Sequence, residues 1–121
     1  MGWNGKVKGS NQFIFQMSEA VALFRREAGA QVPVSQLHTF LIASGVPGMS
    51  ITEVCEKAGV PSGSKTQNIL SLATGNSRKG YERSGKKLLS LKKSPDDSRK
   101  KQVELTPEGE ILRDKMEAIF S

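Results

Sequence analysis

A chain of 121 residues has room for one modest hydrophobic core, so a single domain is expected. It contains no run of about 18 apolar residues that could span a bilayer and no apolar core of a secretory signal, which points to a soluble, cytoplasmic protein. One cysteine, Cys55, and one histidine, His38, exclude an internal disulfide and a zinc cage and leave most acid–base schemes short of a player. The expectation is a protein with no metal, no cofactor and no catalytic centre.

The net charge of +6 is unevenly distributed. Between Lys65 and Lys101 stand eleven Lys or Arg residues against three acids, a local +8 that leaves the remainder of the chain at −2. Cations gathered on one third of an otherwise slightly acidic chain are the electrostatic footprint of a polyanion binder.

Residues 1–9, with three glycines, two lysines and Trp3, cannot build a packed element alone and are expected to form a mobile arm. Ser10 or Asn11 caps a first helix that runs to about Ala28 and stops at Gly29, with Phe13, Met17, Val21 and Phe24 at helical spacing. Ile14, Phe15 and Leu23 widen its apolar stripe, which suggests that a partner chain covers part of it. A second helix, about Val34 to Ser44, turns Leu37, Phe40 and Leu41 inward. His38 on that helix has no companions for a metal or catalytic set. Residues 45–48 read as a turn.

Ser50-Ile51-Thr52-Glu53 is a capping box that opens a third helix, with Ile51, Val54, Cys55 and Ala58 as its inner face and Gly59 at its end. Cys55 on that face reads as a packed, inert thiol. A fourth helix starts at about Ser62 or Ser64 and ends near Thr74, with an inner row of Thr66, Ile69, Leu70 and Ala73. Its outward face is then Ser64, Lys65, Gln67, Asn68 and Ser71, all hydrogen-bonding and without an acid. That suits a helix in a major groove, where Gln and Asn read adenine and Lys reads guanine or phosphate. The candidate contacts on this helix are Ser62, Ser64, Lys65, Thr66, Gln67, Asn68 and Ser71. A phosphate-binding loop at residues 59–66 is the competing reading, but Ala58 and Ser64 stand where its two glycines belong.

Residues 75–87 are a basic Gly/Ser-rich loop carrying Arg78, Lys79, Arg83, Lys86 and Lys87, expected to be flexible and to meet a phosphate backbone. Residues 88–92 and 102–105 have strand character and flank a hairpin tip, Ser94 to Ser98, so that Lys92, Lys93, Lys100 and Lys101 edge a basic hairpin. Thr106-Pro107-Glu108 starts a last helix with a cap, a proline at its first position and an early acid. Ile111, Leu112, Met116, Ile119 and Phe120 line its apolar face. The chain thus reads as mainly α with a small β-hairpin wing (α+β), a winged helix-turn-helix. The arm spans residues 1–9 and the domain 10–121, with the helix-turn-helix at about 50–74, the basic loop at 75–87, the wing at 88–105 and the closing helix at 106–120.

The run Gly48-Met49-Ser50-Ile51-Thr52-Glu53-Val54 resembles the start of the helix-turn-helix in MarR-type (multiple-antibiotic-resistance regulator) proteins. Asp97-Ser98-Arg99, followed by Leu105-Thr106-Pro107-Glu108-Gly109, is similar to that family's D-x-R wing and L-T-x-x-G opening of the dimerisation helix. The likeness covers about residues 35 to 115. It implies that Arg99 enters a minor groove from the wing tip with Asp97 holding its guanidinium, as an Arg at a hairpin tip can on physical grounds too.

It also implies a two-fold homodimer on pseudo-palindromic double-stranded DNA, built here from Phe13, Met17, Val21 and Phe24 with Ile111, Leu112, Met116, Ile119 and Phe120. The sequence departs from the family in a longer turn before the fourth helix, in Thr66, in the 75–87 insertion and in a last helix that stops at Ser121. The small-molecule or oxidant sensing known in the family carries over to no residue here, so an effector is unassigned. The function expected is a nucleoid-associated, dimeric transcriptional repressor. Two alternatives stand beside it: a phage- or plasmid-type DNA-binding factor in replication, partition or packaging, and a sequence-independent architectural DNA- or RNA-binding protein.

Overall fold

The computed structural model describes residues 9–59, 66–76, 85–96 and 100–121, with backbone alone at 9 and 10. In order these form α1 (Gly9–Ala28), α2 (Val34–Gly45), β1 (Met49–Ser50), α3 (Ile51–Ala58), α4 (Gln67–Ala73), β2 (Leu89–Lys93), β3 (Lys101–Leu105) and α5 (Pro107–Phe120). The mainly helical fold with a small β-hairpin wing is therefore the one observed. Gly9, expected to end the arm, is instead the first residue of α1, and the rest of the arm, residues 1–8 with Trp3, lies outside the described residues.

Local rules set most of the boundaries. Ser50 Oγ accepts from Glu53 N at 3.1 Å while the Glu53 carboxylate accepts from Ser50 N at 3.4 Å, so the capping box is closed. The helix it opens ends at Gly59, whose φ of 67° is open to glycine at little cost. At the start of α5, Thr106 Oγ1 accepts from Gly109 N at 3.0 Å and Pro107 takes the first turn, where a missing N–H costs nothing.

Packing joins these elements around α2, which lies against α3, α4 and β3. Phe24 of α1 meets Phe40 of α2 with ring centroids 5.6 Å apart, and both are buried. Val54, Ile69, Leu72, Leu88, Leu89, Val103 and Leu112 are the other large apolar side chains that are fully buried among the described residues. Each such side chain contributes about 1.5–3 kcal/mol on transfer from water. The outer pair, α1 and α5, is joined by Phe13 against Phe120 at 5.9 Å and by Gln16 Nε2 donating to Ile119 O at 2.7 Å.

The sheet has the order β1-β3-β2, antiparallel throughout, with Met49 opposite Val103 and Leu91 opposite Val103 on the other side. The expected turn is present at residues 46–48, and the short strand β1 that follows it was not expected. Two residues carry no periodicity, and only docking on β3 makes them a strand. A correction concerns α2, where Leu41, expected inward, is exposed while Gln36 and Thr39 are buried. Thr39 Oγ1 donates to Ser35 O at 2.8 Å and Gln36 Nε2 donates to Asn76 Oδ1 at 2.8 Å, while Gln36 Oε1 is buried without a hydrogen-bond partner among the described residues. Leu41 instead lines an apolar cavity of about 270 Å³ between α1, α2 and α5, with Met17, Leu37, Phe40, Met116 and Phe120.

The terminal helices also divide their apolar residues differently from the expected dimer stripe. Phe24, Leu112 and Met116 lie in the chain's own core, which removes them from any interface. Phe13, Met17, Ile111 and Phe120 stay exposed, and Val21 and Ile119 are half-buried. In sequence a core stripe and a partner stripe look alike, since both place apolar groups at helical spacing. Among the described residues, no helix is long and apolar enough to cross a membrane, and no three His, Cys, Asp or Glu side chains are placed to hold a metal ion.

Candidate nucleic-acid interface

The fourth helix decides what a groove could meet, and its rotation differs from the expected one. Ile69 and Leu72 are fully buried, whereas Leu70, assigned to the inner row, is 46% exposed. Thr66, also placed in that row, is exposed, and Ala73 is half-buried. At about 100° per residue the outward arc is therefore Thr66, Leu70, Thr74 and Gln67. Asn68, expected outward, sits on the side turned to α2, half-buried, and its Oδ1 accepts from Ser35 Oγ at a long 3.4 Å. Ser71 is half-buried as well.

The reason lies in composition. Ile69, Leu70, Leu72 and Ala73 are all apolar within five residues, so two inner rows fit the sequence, and the row centred on Ile69 and Leu72 packs best beneath α2. Leu70 and Thr74 are thus surface residues that the pattern passed over. Reading Leu72 as the stronger partner of Ile69, at i and i+3, would have found them.

The wing presents its cations openly. Lys92, Lys93, Lys100 and Lys101 are exposed, and Ser94 N donates to Lys100 O at 2.9 Å to close the ribbon below its tip. Lys93 stands opposite Lys101 in the register and Lys92 opposite Gln102. A polar cleft of about 670 Å³ separates Lys100 and Lys101 from Ser50, Thr52, Glu53 and Glu56 at the start of α3. The wing therefore rises beside the helix-turn-helix. The remaining residues expected at this surface (Ser62, Ser64, Lys65, Arg78, Lys79, Arg83, Asp97 and Arg99) lie outside the described residues.

The two ends of the basic loop are fastened to the end of α1. Asn76, at φ 58°, donates from Nδ2 to Ala28 O at 3.0 Å and accepts from Gln36 Nε2 at 2.8 Å, while Lys86 N donates to Glu27 O at 2.7 Å. Lys86, expected to meet phosphate, is exposed and paired within the chain, its Nζ lying 2.9 Å from the Glu27 carboxylate. That hydrogen bond, then the Glu27 charge, and more weakly the Glu108 charge, raise the Lys86 ammonium above its ordinary value. The ion pair is thus complete below the ordinary lysine range and fades only as pH climbs through the raised value. Lys87 is exposed.

Asn76→Ala is expected to lower stability by about 1–2 kcal/mol, since it strips two hydrogen bonds from a buried Gln36 and the Ala28 carbonyl and puts Ala at positive φ. A urea melt reads the loss directly. An unchanged midpoint would mean that this clasp contributes nothing.

No protein-family model matches the chain, and no curated protein matches it. Solved structures do. The chain is similar to the S. aureus MepR–DNA complex, with a TM-score of 0.63, 17% identity and coverage of 92% of this chain and 77% of that one. It is similar to Streptococcus pneumoniae FabT in complex with DNA, at 0.62 and 18%, covering 92% and 69%. It is also similar to MarR, at 0.56 and 16%, covering 93% and 75%. At these identities the likeness establishes the fold, the MarR-type winged helix.

Proposed function

We propose, on the premise of that shared MarR-type winged-helix fold, that this chain is a dimeric DNA-binding transcriptional regulator acting as a repressor. The observation that carries it is the outward arc of α4, Thr66, Gln67, Leu70 and Thr74, which holds no acid and is accompanied by a wing with four exposed lysines. Gln67 at the groove floor can pair with adenine N6 and N7, and the lysines neutralise phosphates on either side. The roles of Asp97 and Arg99 at the wing tip, one holding the other for a minor groove, belong to the same proposal. So does the homodimer, for which the exposed Phe13, Met17, Ile111 and Phe120 supply an apolar face on the terminal helices. In this reading the chain works at the nucleoid, occupies an operator by binding alone and performs no catalytic step.

Selection of bound fragments from a random duplex pool tests it. A two-fold site is expected, with half-sites about one helical turn apart, as a two-fold dimer dictates. Gln67→Ala should then cost about 1–3 kcal/mol on the selected site and little on random DNA. A pool that yields no preferred duplex, with binding that tracks salt alone, would replace this reading by a sequence-independent one.

A further inference from the structure

The rotation of α4 puts a leucine where a groove-reading helix is ordinarily polar. Leu70 is 46% exposed, and Thr66 and Thr74 stand one turn before and one turn after it on the same face. The three side chains form a strip along the exposed side of the helix, with Leu70 as its apolar centre and the Thr74 hydroxyl drawn back onto Leu70 O at 2.9 Å. Gln67 lies at the edge of that strip. Burial elsewhere on the helix leaves no other face for a groove, since Ile69 and Leu72 are enclosed and Asn68 is turned to α2.

Resting on the DNA-binding reading above, we infer that Leu70, with Thr66 and Thr74 beside it, selects base pairs by contact with a pyrimidine C5 methyl in the major groove. The methyl is the only apolar group on the major-groove edge of a base pair, so an apolar side chain has one partner there. Thymine is its source here, because the neighbouring Gln67 suits adenine and the two preferences coincide in A·T-rich steps. The half-site therefore carries thymine under α4. A lysine or asparagine at position 70 would have demanded hydrogen-bonding edges instead. Leucine rewards the methyl alone, and discriminates against cytosine and uracil by leaving exposed apolar surface without cover.

The test uses the full chain and a duplex recovered from the random pool, resynthesised with dT replaced by dU at one position at a time and, in a second arm, with dC replaced by 5-methyl-dC. The expected result is one or two thymines in each half-site at which loss of the methyl weakens wild-type binding about three- to fivefold, the effect of one buried methyl group. Leu70→Ala should bind more weakly, melt as the wild type does because the side chain is on the surface, and no longer distinguish dT from dU at those positions. Wild-type protein indifferent to dU, or a Leu70→Ala variant that still senses it, would overturn the assignment while leaving specific DNA binding in place. A gain only with 5-methyl-dC would overturn thymine as the source. A pool without any preferred duplex would end both this inference and the reading beneath it.

Discussion

Replacing Lys92, Lys93, Lys100 and Lys101 together by alanine is expected to lower affinity for duplex DNA on the order of 100-fold near 0.15 M salt and to flatten the salt dependence. Each lysine that meets a phosphate releases about 0.9 of a counterion, so the slope of log K against log salt should shrink by roughly three to four. All four side chains are exposed, so the fold has little to lose by their removal. It gains something, because Lys93 lies directly opposite Lys101 in the β2–β3 ladder, and like charges so placed repel. The melting temperature should hold or rise slightly while binding collapses. A repulsive pair retained in a short ribbon makes sense where an anion comes to sit between its members. Titrations at several salt concentrations, beside a thermal melt, measure both quantities. Unaltered slope in the quadruple variant would remove the wing from the interface.

Gly109→Ala should damage the fold itself, by about 2–4 kcal/mol, a fall in Tm on the order of 10 °C. The motif Leu105-Thr106-Pro107-Glu108-Gly109 has a physical reason at its last position. A Cβ at Gly109 would collide with the backbone carbonyl of Leu88, at the foot of the wing. That carbonyl cannot retreat easily, since Leu88 O accepts from Thr106 N at 3.1 Å and Leu88 N donates to Leu72 O at 2.9 Å. The next carbonyl back, that of Lys87, accepts from Thr106 Oγ1 at 2.6 Å. One close approach thus links the end of α4, the first wing strand and the start of α5. Gly45→Ala is the control: nothing lies within 4 Å of a Cβ there, and its melt should match the wild type or exceed it slightly. A Gly109→Ala protein that melts normally would mean that α5 can shift away from the sheet at little cost.

Much of the fold is readable in the chain itself. The capping box at Ser50 and Glu53, the Gly59 stop and the Thr106-Pro107 start are short-range devices, each complete within four residues, and each closes as its chemistry requires. The hairpin is legible for the same reason, as a leucine-rich run and an alternating polar–apolar run on either side of a turn. The basic charge of the wing needs no structure to be seen, because exposure is the default for lysine.

Tertiary contacts decided the rest. The amino-acid order allows α4 two rotations, and the one taken follows from what α2 lets it bury, which brings Leu70 and Thr74 outward and turns Asn68 aside. Likewise Asn76 gains its role only when Gln36 and the end of α1 arrive from 40 and 48 residues away. Phe24, Leu112 and Met116 become core while Phe13 and Ile111 stay outside, although all five are apolar at helical spacing. Caps and periods are set by neighbours along the chain. Which side of a helix faces the interior is set by competition for a limited enclosed volume, and that competition exists only once the helices have met.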